Sequence, residues 1–231
     1  MTNLRIGLLG GSFNPAHDGH RLISLMALRR LGLDQVWWLV SPQNPLKPVA
    51  GMAPFRTRVA GARLVARHPR IKVSDLESRF PSRYTADVLP AIARSHRQHR
   101  FVWLMGADNL IQIRHWQRWT EIFEAMPIAV FNRPGYAYRA LAGLAAKRFA
   151  RARLTPSGST AAARRLVNCR PPAWLFLPEP HCTLSATGLR NGEIMAATAT
   201  ERPSKRARTV AANGANHHVA LDEGAGLRHV D

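Results

Sequence analysis

The feature that most constrains this fold is a glycine pair, Gly10-Gly11, which directly follows the apolar run 4–9. A strand that passes through a glycine-rich turn into a helix directs backbone N–H groups and the positive end of a helix dipole at one point. Phosphate is the natural ligand of such a turn. Two histidines, His17 and His20, lie at the same junction. The sequence therefore predicts a nucleotide-phosphate site here.

Apolar runs and helical patterns alternate along the rest of the chain, which indicates parallel βαβ units. We predict an α/β fold: a Rossmann-like, doubly wound, mainly parallel sheet in a single domain. The predicted strands after the first are 36–40, 71–73, 101–105, 128–131 and 174–177, and the predicted helices are 19–31, 55–67, 84–96 with a kink at Pro90, 110–123 and 138–150, with a last short helix near 190.

Composition favours one globular domain with a tail. Of the 231 residues, 46% are hydrophobic, which is enough for a substantial core. Because periodicity is lost near residue 196, we predict a domain over 1–196 and a low-complexity, disordered tail over 197–231. No run approaches the roughly 18 to 20 apolar residues of a membrane span, and the N terminus has no signal-peptide pattern, which favours a cytoplasmic protein.

A formal net charge of +19 raises nucleic-acid binding as an alternative function of a different class. The excess is mostly arginine, dispersed along the chain, a pattern more typical of solvated helix faces than of a binding groove. A nucleic-acid-binding protein would lose affinity steeply with salt and would depend little on His17.

Six motifs occur in an order that identifies a family resemblance. They are Gly10-Gly11-Ser12-Phe13-Asn14-Pro15-Ala16-His17-Asp18-Gly19-His20, Pro42-Gln43-Asn44-Pro45-Leu46-Lys47, Gly106-Ala107-Asp108, Trp116-Gln117-Arg118-Trp119, Arg133-Pro134-Gly135 and Ser185-Ala186-Thr187-Gly188-Leu189-Arg190. Together they resemble the nucleotidylyltransferases with the His-x-Gly-His motif, and in particular the nicotinate-nucleotide adenylyltransferase family, from residue 4 to about residue 191. The family's Gly-Pro-Ser-Tyr-Thr differs here, because the stretch 80–85 lacks the glycine and inserts Arg83.

The resemblance implies transfer of AMP from ATP to nicotinate mononucleotide, which gives deamido-NAD and pyrophosphate, with Mg²⁺ on the triphosphate and no metal site made by the protein. The mononucleotide phosphate is already a nucleophile at neutral pH, so the protein has to align it and neutralise charge. The implied catalytic residues are His17, His20 and Arg190. The implied ATP-binding residues are Gly10, Gly11, Ser12, Phe13, Asp108, Ser185, Thr187 and Arg190.

The residues implied for the second substrate are Asn14, Lys47, Tyr84, Thr85, Gly106, Trp116 and Arg133. Backbone N–H groups at Tyr84 and Thr85 would hold the nicotinate carboxylate, and Trp116 would stack on the pyridine ring. From the residues alone, Thr85 could equally be a helix cap and Trp116 a core residue. An acceptor such as nicotinamide mononucleotide or phosphopantetheine, and a homo-oligomeric assembly, stay open as alternatives.

Overall fold

Seven parallel strands form one sheet, which confirms the predicted α/β fold. The computed structural model describes residues 3–42, 50–155 and 160–178. The strand order is β3-β2-β1-β4-β5-β7-β6. The strands are β1 Arg5–Gly11, β2 Gln35–Val40, β3 Ile71–Ser74, β4 Arg100–Gly106, β5 Ile128–Phe131, β6 Arg153–Leu154 and β7 Trp174–Leu177. The predicted boundary between residues 196 and 197 lies outside the described residues.

Helices cover both faces of the sheet and bury two separate hydrophobic cores. The helices are α1 Asp18–Arg30, α2 Phe55–Ala66, α3 Thr85–Ser95, α4 Ala107–Gln112, α5 Trp119–Ala125, α6 Ala137–Leu141, α7 Leu144–Arg148 and α8 Thr160–Arg165. Helices α1 and α2 pack on one face, and α3, α4 and α5 pack on the other. None of the helices in the described part of the chain is long and apolar enough to cross a membrane.

The prediction of a single helix over 110–123 is wrong. Helix α4 passes into a 3-10 turn at Ile113–His115, and Arg118 then adopts a left-handed backbone conformation with φ of 50°. A helix cannot continue through that conformation, so α5 starts anew at Trp119. Trp116 lies in the intervening turn, outside both helices, and Trp119 is the first residue of α5.

The helix predicted over 138–150 is also divided. Gly143 has an extended backbone (φ −70°, ψ 163°) and separates α6 from α7. A Cβ at this position would lie 3.1 Å from the carbonyl oxygen of Ala140, so the break uses the small size of glycine. Strand β6 and helix α8 were not predicted from the sequence, because a two-residue strand and a six-residue helix carry no readable period.

Strand order reverses between β1 and β4, which lie side by side in the sheet. From β1 the chain continues to β2 on one side, and from β4 it continues to β5 on the other side. At such a reversal the loops that follow the two strands diverge and leave a crevice at the carboxyl edge of the sheet. The turn after β1 begins at Ser12, and helix α4 begins at Ala107, directly after β4. Both predicted motifs, the glycine turn and Gly106-Ala107-Asp108, therefore lie at this crevice.

A close approach of β1 to β4 explains why the first residue of the glycine pair, Gly10, is a glycine. A Cβ on Gly10 would lie 2.3 Å from Cη2 of Trp103, a core residue that is 3% exposed. The indole ring is rigid and enclosed, so it cannot move aside at low cost. Gly10 is therefore required by packing between the strands, independently of any ligand.

A buried arginine holds together the loops on this side of the crevice. Arg58, in α2, is 3% exposed. Its guanidinium donates to the carbonyl oxygens of Ser12 (2.6 Å), Ser41 (2.7 Å), Pro42 (2.7 Å) and Ala53 (3.0 Å). Burial lowers the pKa of this guanidinium. The turn after β1 and the segments on either side of residues 43–49 are thus fixed to one side chain.

We expect Gly10→Ala to lower the free energy of unfolding by about 1–3 kcal/mol, because its methyl group overlaps the Trp103 ring. Gly61→Ala is the matched control, since nothing lies within 4 Å of its Cβ position in α2. The control should stabilise the protein by about 0.5–1 kcal/mol, through helix propensity. Urea denaturation of the three proteins measures both effects, and equal stabilities would contradict this account of Gly10.

We expect Arg58→Lys to lower the free energy of unfolding by about 1–3 kcal/mol, because an ammonium group cannot reach all four carbonyl oxygens and leaves buried acceptors unpaired. Arg56→Lys, on the exposed side of the same helix, should change it by less than about 0.5 kcal/mol. Thermal and urea denaturation measure the difference. Indistinguishable curves for the two variants would show that the four bonds do not stabilise the fold.

Candidate active site

The two predicted histidines are adjacent at the start of α1. His17 is the N-cap residue and His20 lies in the first turn, and their ring centroids are 3.8 Å apart. The amide of His17 donates to Nδ1 of His20 at 3.2 Å, and the amide of His20 donates to the carbonyl of His17 at 2.9 Å. Because Nδ1 of His20 accepts a hydrogen bond, the neutral ring carries its proton on Nε2 and presents it as a donor.

A cluster of aromatic rings packs against His20. The ring of Phe13, which is 2% exposed, contacts both His20 (centroids 4.7 Å apart) and Trp38 (5.0 Å, nearly parallel), and the centroids of His20 and Trp38 are 5.8 Å apart. Nε1 of Trp38 donates to Oγ of Ser24 at 2.7 Å, and that hydroxyl donates to the carbonyl of His20 at 2.8 Å. Phe13 has φ of 47°, so the turn is bent to place this ring in the core. The side chain of Phe13 therefore has a packing role.

The pKa of His17 is lowered to about 4. Burial is the largest cause and the positive charge of Arg133 adds to it, while the carboxylates of Asp18 and Asp108 oppose the shift. In the free protein the His17 ring is therefore neutral at physiological pH. Among the described residues, no partner contacts the buried Nδ1 of His17 or the buried Oγ of Ser12. Buried polar atoms are usually paired, so these two atoms are candidates for ligand contact.

Asp108 and Arg133 form an ion pair on the opposite side of the crevice. Their atoms Oδ2 and Nη1 are 2.7 Å apart, and each side chain is about one-fifth exposed, 21% and 22% respectively. A Cβ on Gly106 would lie 2.3 Å from Oδ1 of Asp108, so the glycine provides space for the carboxylate. The structure thus brings together residues predicted for ATP binding and for substrate binding.

The described acceptor residues lie on five segments, at Asn14, at Tyr84 and Thr85, at Gly106, at Trp116 and at Arg133. Asn14 uses its side chain to bind the chain beyond residue 49, donating to the carbonyl of Gly51 (3.0 Å) and accepting from the amide of Ala53 (3.1 Å). Tyr84 caps α3, and its amide donates to Oγ of Ser82 at 3.2 Å. Trp116 is partly buried against the core on the α3 face. Four further predicted residues lie outside the described residues, namely Lys47, Ser185, Thr187 and Arg190.

Four residues that bear on the site were not predicted from the sequence: Arg58, Glu77, Asp87 and Arg118. Burial raises the pKa of the Glu77 carboxyl to about 7, and a hydrogen bond from Ser41, at the end of β2, opposes this shift. Asp87 pairs with Arg118. A motif search cannot find these residues, because each acts through a contact between distant parts of the chain.

The described residues contain no group of three or more His, Cys, Asp or Glu side chains that could hold a metal ion.

Comparisons with known proteins identify the family of this chain. The model of the cytidylyltransferase-like family matches residues 8–192. A Parvibaculum lavamentivorans protein named "Probable nicotinate-nucleotide adenylyltransferase" is 54% identical over 187 residues, which cover 81% of this chain and 91% of that protein. A Brucella abortus protein of the same name is 45% identical over 203 residues, which cover 88% of this chain and all (100%) of that protein.

A solved structure has the same fold. The nicotinic acid mononucleotide adenylyltransferase of Plasmodium falciparum, complexed with NaAD, matches with a TM-score of 0.60 and 16% sequence identity, and the match covers 82% of this chain and 83% of the other. At that identity the likeness concerns the fold alone. The family model and the close relatives, which share the length of the domain as well as its sequence, establish that the chain belongs to the cytidylyltransferase-like family and, within it, to the nicotinate-nucleotide adenylyltransferases.

Proposed function

We propose that this protein transfers the adenylyl group of ATP to nicotinate mononucleotide and releases deamido-NAD and pyrophosphate. The observation that carries the proposal is the pair of adjacent imidazoles, His17 and His20, at a helix N terminus in the crevice where strand order reverses. A relative that is 54% identical to this chain over 187 residues is named "Probable nicotinate-nucleotide adenylyltransferase". The histidine pair, with the first amides of α1, suits a polyphosphate.

The proposed reaction is an in-line displacement at phosphorus. An oxygen of the mononucleotide phosphate forms a bond to the α-phosphorus of ATP, while the bond from that phosphorus to the α–β bridging oxygen breaks. The electron pair leaves with pyrophosphate. No covalent enzyme intermediate is needed, because the attacking phosphate is ionised at neutral pH. The protein contributes alignment of the two phosphates and stabilisation of the negative charge that shifts to the leaving group.

The two histidines have different proposed roles. His20 presents Nε2–H as a fixed donor, because its Nδ1 is occupied by the amide of His17. His17 is neutral in the free protein, with a pKa of about 4. Bound phosphates would raise that pKa, because their negative charge stabilises the imidazolium form. His17 would then contribute a full positive charge only when ATP is present.

The remaining ATP contacts are proposed from the family motifs. Gly10, Gly11, Ser12 and the backbone at Phe13 would line the phosphates, with the unpaired hydroxyl of Ser12 as an additional contact. Asp108 would contact the ribose or adenosine. Ser185, Thr187 and Arg190 would complete the phosphate site, with Arg190 on the leaving pyrophosphate. Mg²⁺ would bridge the triphosphate oxygens and neutralise part of their charge.

The acceptor would occupy the space between the turn after β1, the N terminus of α3 and the Trp116 turn. Asn14, Lys47, Gly106 and Arg133 are proposed contacts of its phosphate and ribose. The amide of Tyr84 already donates to Ser82, so Thr85 and its neighbour Ala86 are the better backbone donors for the nicotinate carboxylate. Trp116 is proposed to stack on the pyridine ring.

We expect His17→Asn and His20→Asn each to lower kcat by about 100- to 1,000-fold, because each variant removes a donor from the charged transition state. Purified protein with ATP, Mg²⁺ and nicotinate mononucleotide is assayed by chromatography of the dinucleotide product. His68→Asn, in the loop after α2, is the matched control and should retain full activity.

Absence of any dinucleotide from the wild-type protein, with either the acid or the amide mononucleotide, would contradict the proposed function. A higher kcat/KM for nicotinamide mononucleotide would contradict only the choice of acceptor. Wild-type activity in both the His17 and the His20 variants would contradict the roles given to the two rings.

We expect ATP binding to raise the pKa of His17. In the free protein the ring should titrate near pH 4 and stay neutral from there upward, so the folded state binds fewer protons than the unfolded chain between about pH 4 and 6.5. The free energy of unfolding therefore rises with pH over this range, and the stability that is present above pH 6.5 is lost as the pH falls toward 4. NMR titration with and without ATP measures the pKa, with the resonance assigned by its loss in His17→Asn. An unchanged pKa would contradict direct contact with phosphate.

A further inference from the structure

A short chain of polar contacts joins the N terminus of α3 to the turn that carries Trp116. The carboxylate of Asp87 accepts from Oγ of Ser82 at 2.6 Å, and the same hydroxyl accepts from the amide of Tyr84 at 3.2 Å. The second oxygen of Asp87 pairs with the guanidinium of Arg118. The two segments proposed to hold the nicotinate ring are therefore connected through one carboxylate.

Arg118 fixes the turn from its other side as well. Its backbone is left-handed, and the residue forms the N-cap of α5. Its guanidinium also lies 3.5 Å from a carboxylate oxygen of Glu121, one turn into α5. Arg118 therefore links the segment that follows Trp116 to both α3 and α5.

Asp87 places a negative charge close to where a substrate carboxylate would bind. It is the only acidic residue in the first turn of α3, beside the amides of Thr85 and Ala86, which have no hydrogen-bond partner among the described residues. The hydrogen bond from Ser82 and the pairing with Arg118 hold the pKa of Asp87 below its usual range, so its carboxylate stays ionised. An unpaired anion at this position would repel a second carboxylate.

We infer that Arg118 is a positioning residue that preserves the selectivity of the acceptor site for the acid mononucleotide over the amide. Arg118 neutralises Asp87, so that the nicotinate carboxylate can approach the amides of α3 without repulsion. The inference rests on the proposed function, since it concerns the acceptor of that reaction.

The pair is suited to a test by substitution because it contributes little to folding. Its side chains are 42% and 37% exposed. Ion pairs at that exposure change stability little, so a neutral variant should fold normally. Asp87→Asn keeps an oxygen that can accept from Ser82, and Arg118→Gln keeps a long polar side chain at the left-handed position. Arg114→Gln is a matched control, because Arg114 is exposed and contacts His115 rather than Asp87.

The experiment compares kcat and KM for nicotinate and nicotinamide mononucleotide in the wild type, Arg118→Gln, Asp87→Asn, the double variant and Arg114→Gln. We expect Arg118→Gln to raise KM for the acid by about three- to tenfold, because Asp87 is then an uncompensated anion. KM for the amide and kcat should change much less. The double variant should recover most of the selectivity, since it removes both charges, and Asp87→Asn and Arg114→Gln should retain it.

Equal changes for the acid and the amide in Arg118→Gln, or no recovery in the double variant, would overturn the inference. A lower thermal midpoint in Arg118→Gln with an unchanged ratio of the two KM values would assign the pair a purely structural role and would overturn it as well. These outcomes are distinct from failure of the proposed function, which would appear as absence of dinucleotide from the wild-type protein.

Discussion

A parallel sheet brings the carboxyl ends of all its strands to one edge, and this constraint places every part of the site. The histidines lie where the turn after β1 enters α1, Asp108 lies in the first turn of α4 directly after β4, and Arg133 lies in the turn after β5. Because strand order reverses between β1 and β4, the first two turns separate and leave room for a ligand between them. The ion pair of Asp108 and Arg133 shows that the turns after β4 and β5 converge there.

Packing behind the histidines determines their chemistry. The rings of Trp38 and Phe13 form a rigid apolar support, and His20 lies on it with its Nδ1 already bonded. The same apolar surroundings disfavour a charged ring at His17, which is the main cause of its low pKa. His17 therefore carries little positive charge in the free protein. In this respect the apolar core and the turn that bears the two histidines are one structure.

Sequence patterns predicted six of the seven strands, the first helices and the crevice, because these depend on local periodicity and on the parallel topology that it implies. They failed where a distant contact decides the local structure. Arg58 bonds to Ser12 across 46 residues, and Arg118 reaches Asp87 across 31. Helix-forming residues surround Arg118, yet the chain turns left-handed there, because tertiary contacts override a weak propensity. The roles of individual residues toward ATP and the acceptor stay predictions.

Arg58 bonds only to main-chain oxygens, and this has a consequence for how the protein can vary. Every residue type offers the same carbonyl group, so the anchor does not depend on which side chains occupy Ser12, Ser41, Pro42 or Ala53. The side chains of these four residues can therefore change without loss of the anchor, provided that the main chain keeps its course. One buried charge in α2 thus fixes the position of the backbone while it leaves the side-chain chemistry at these positions open to substitution.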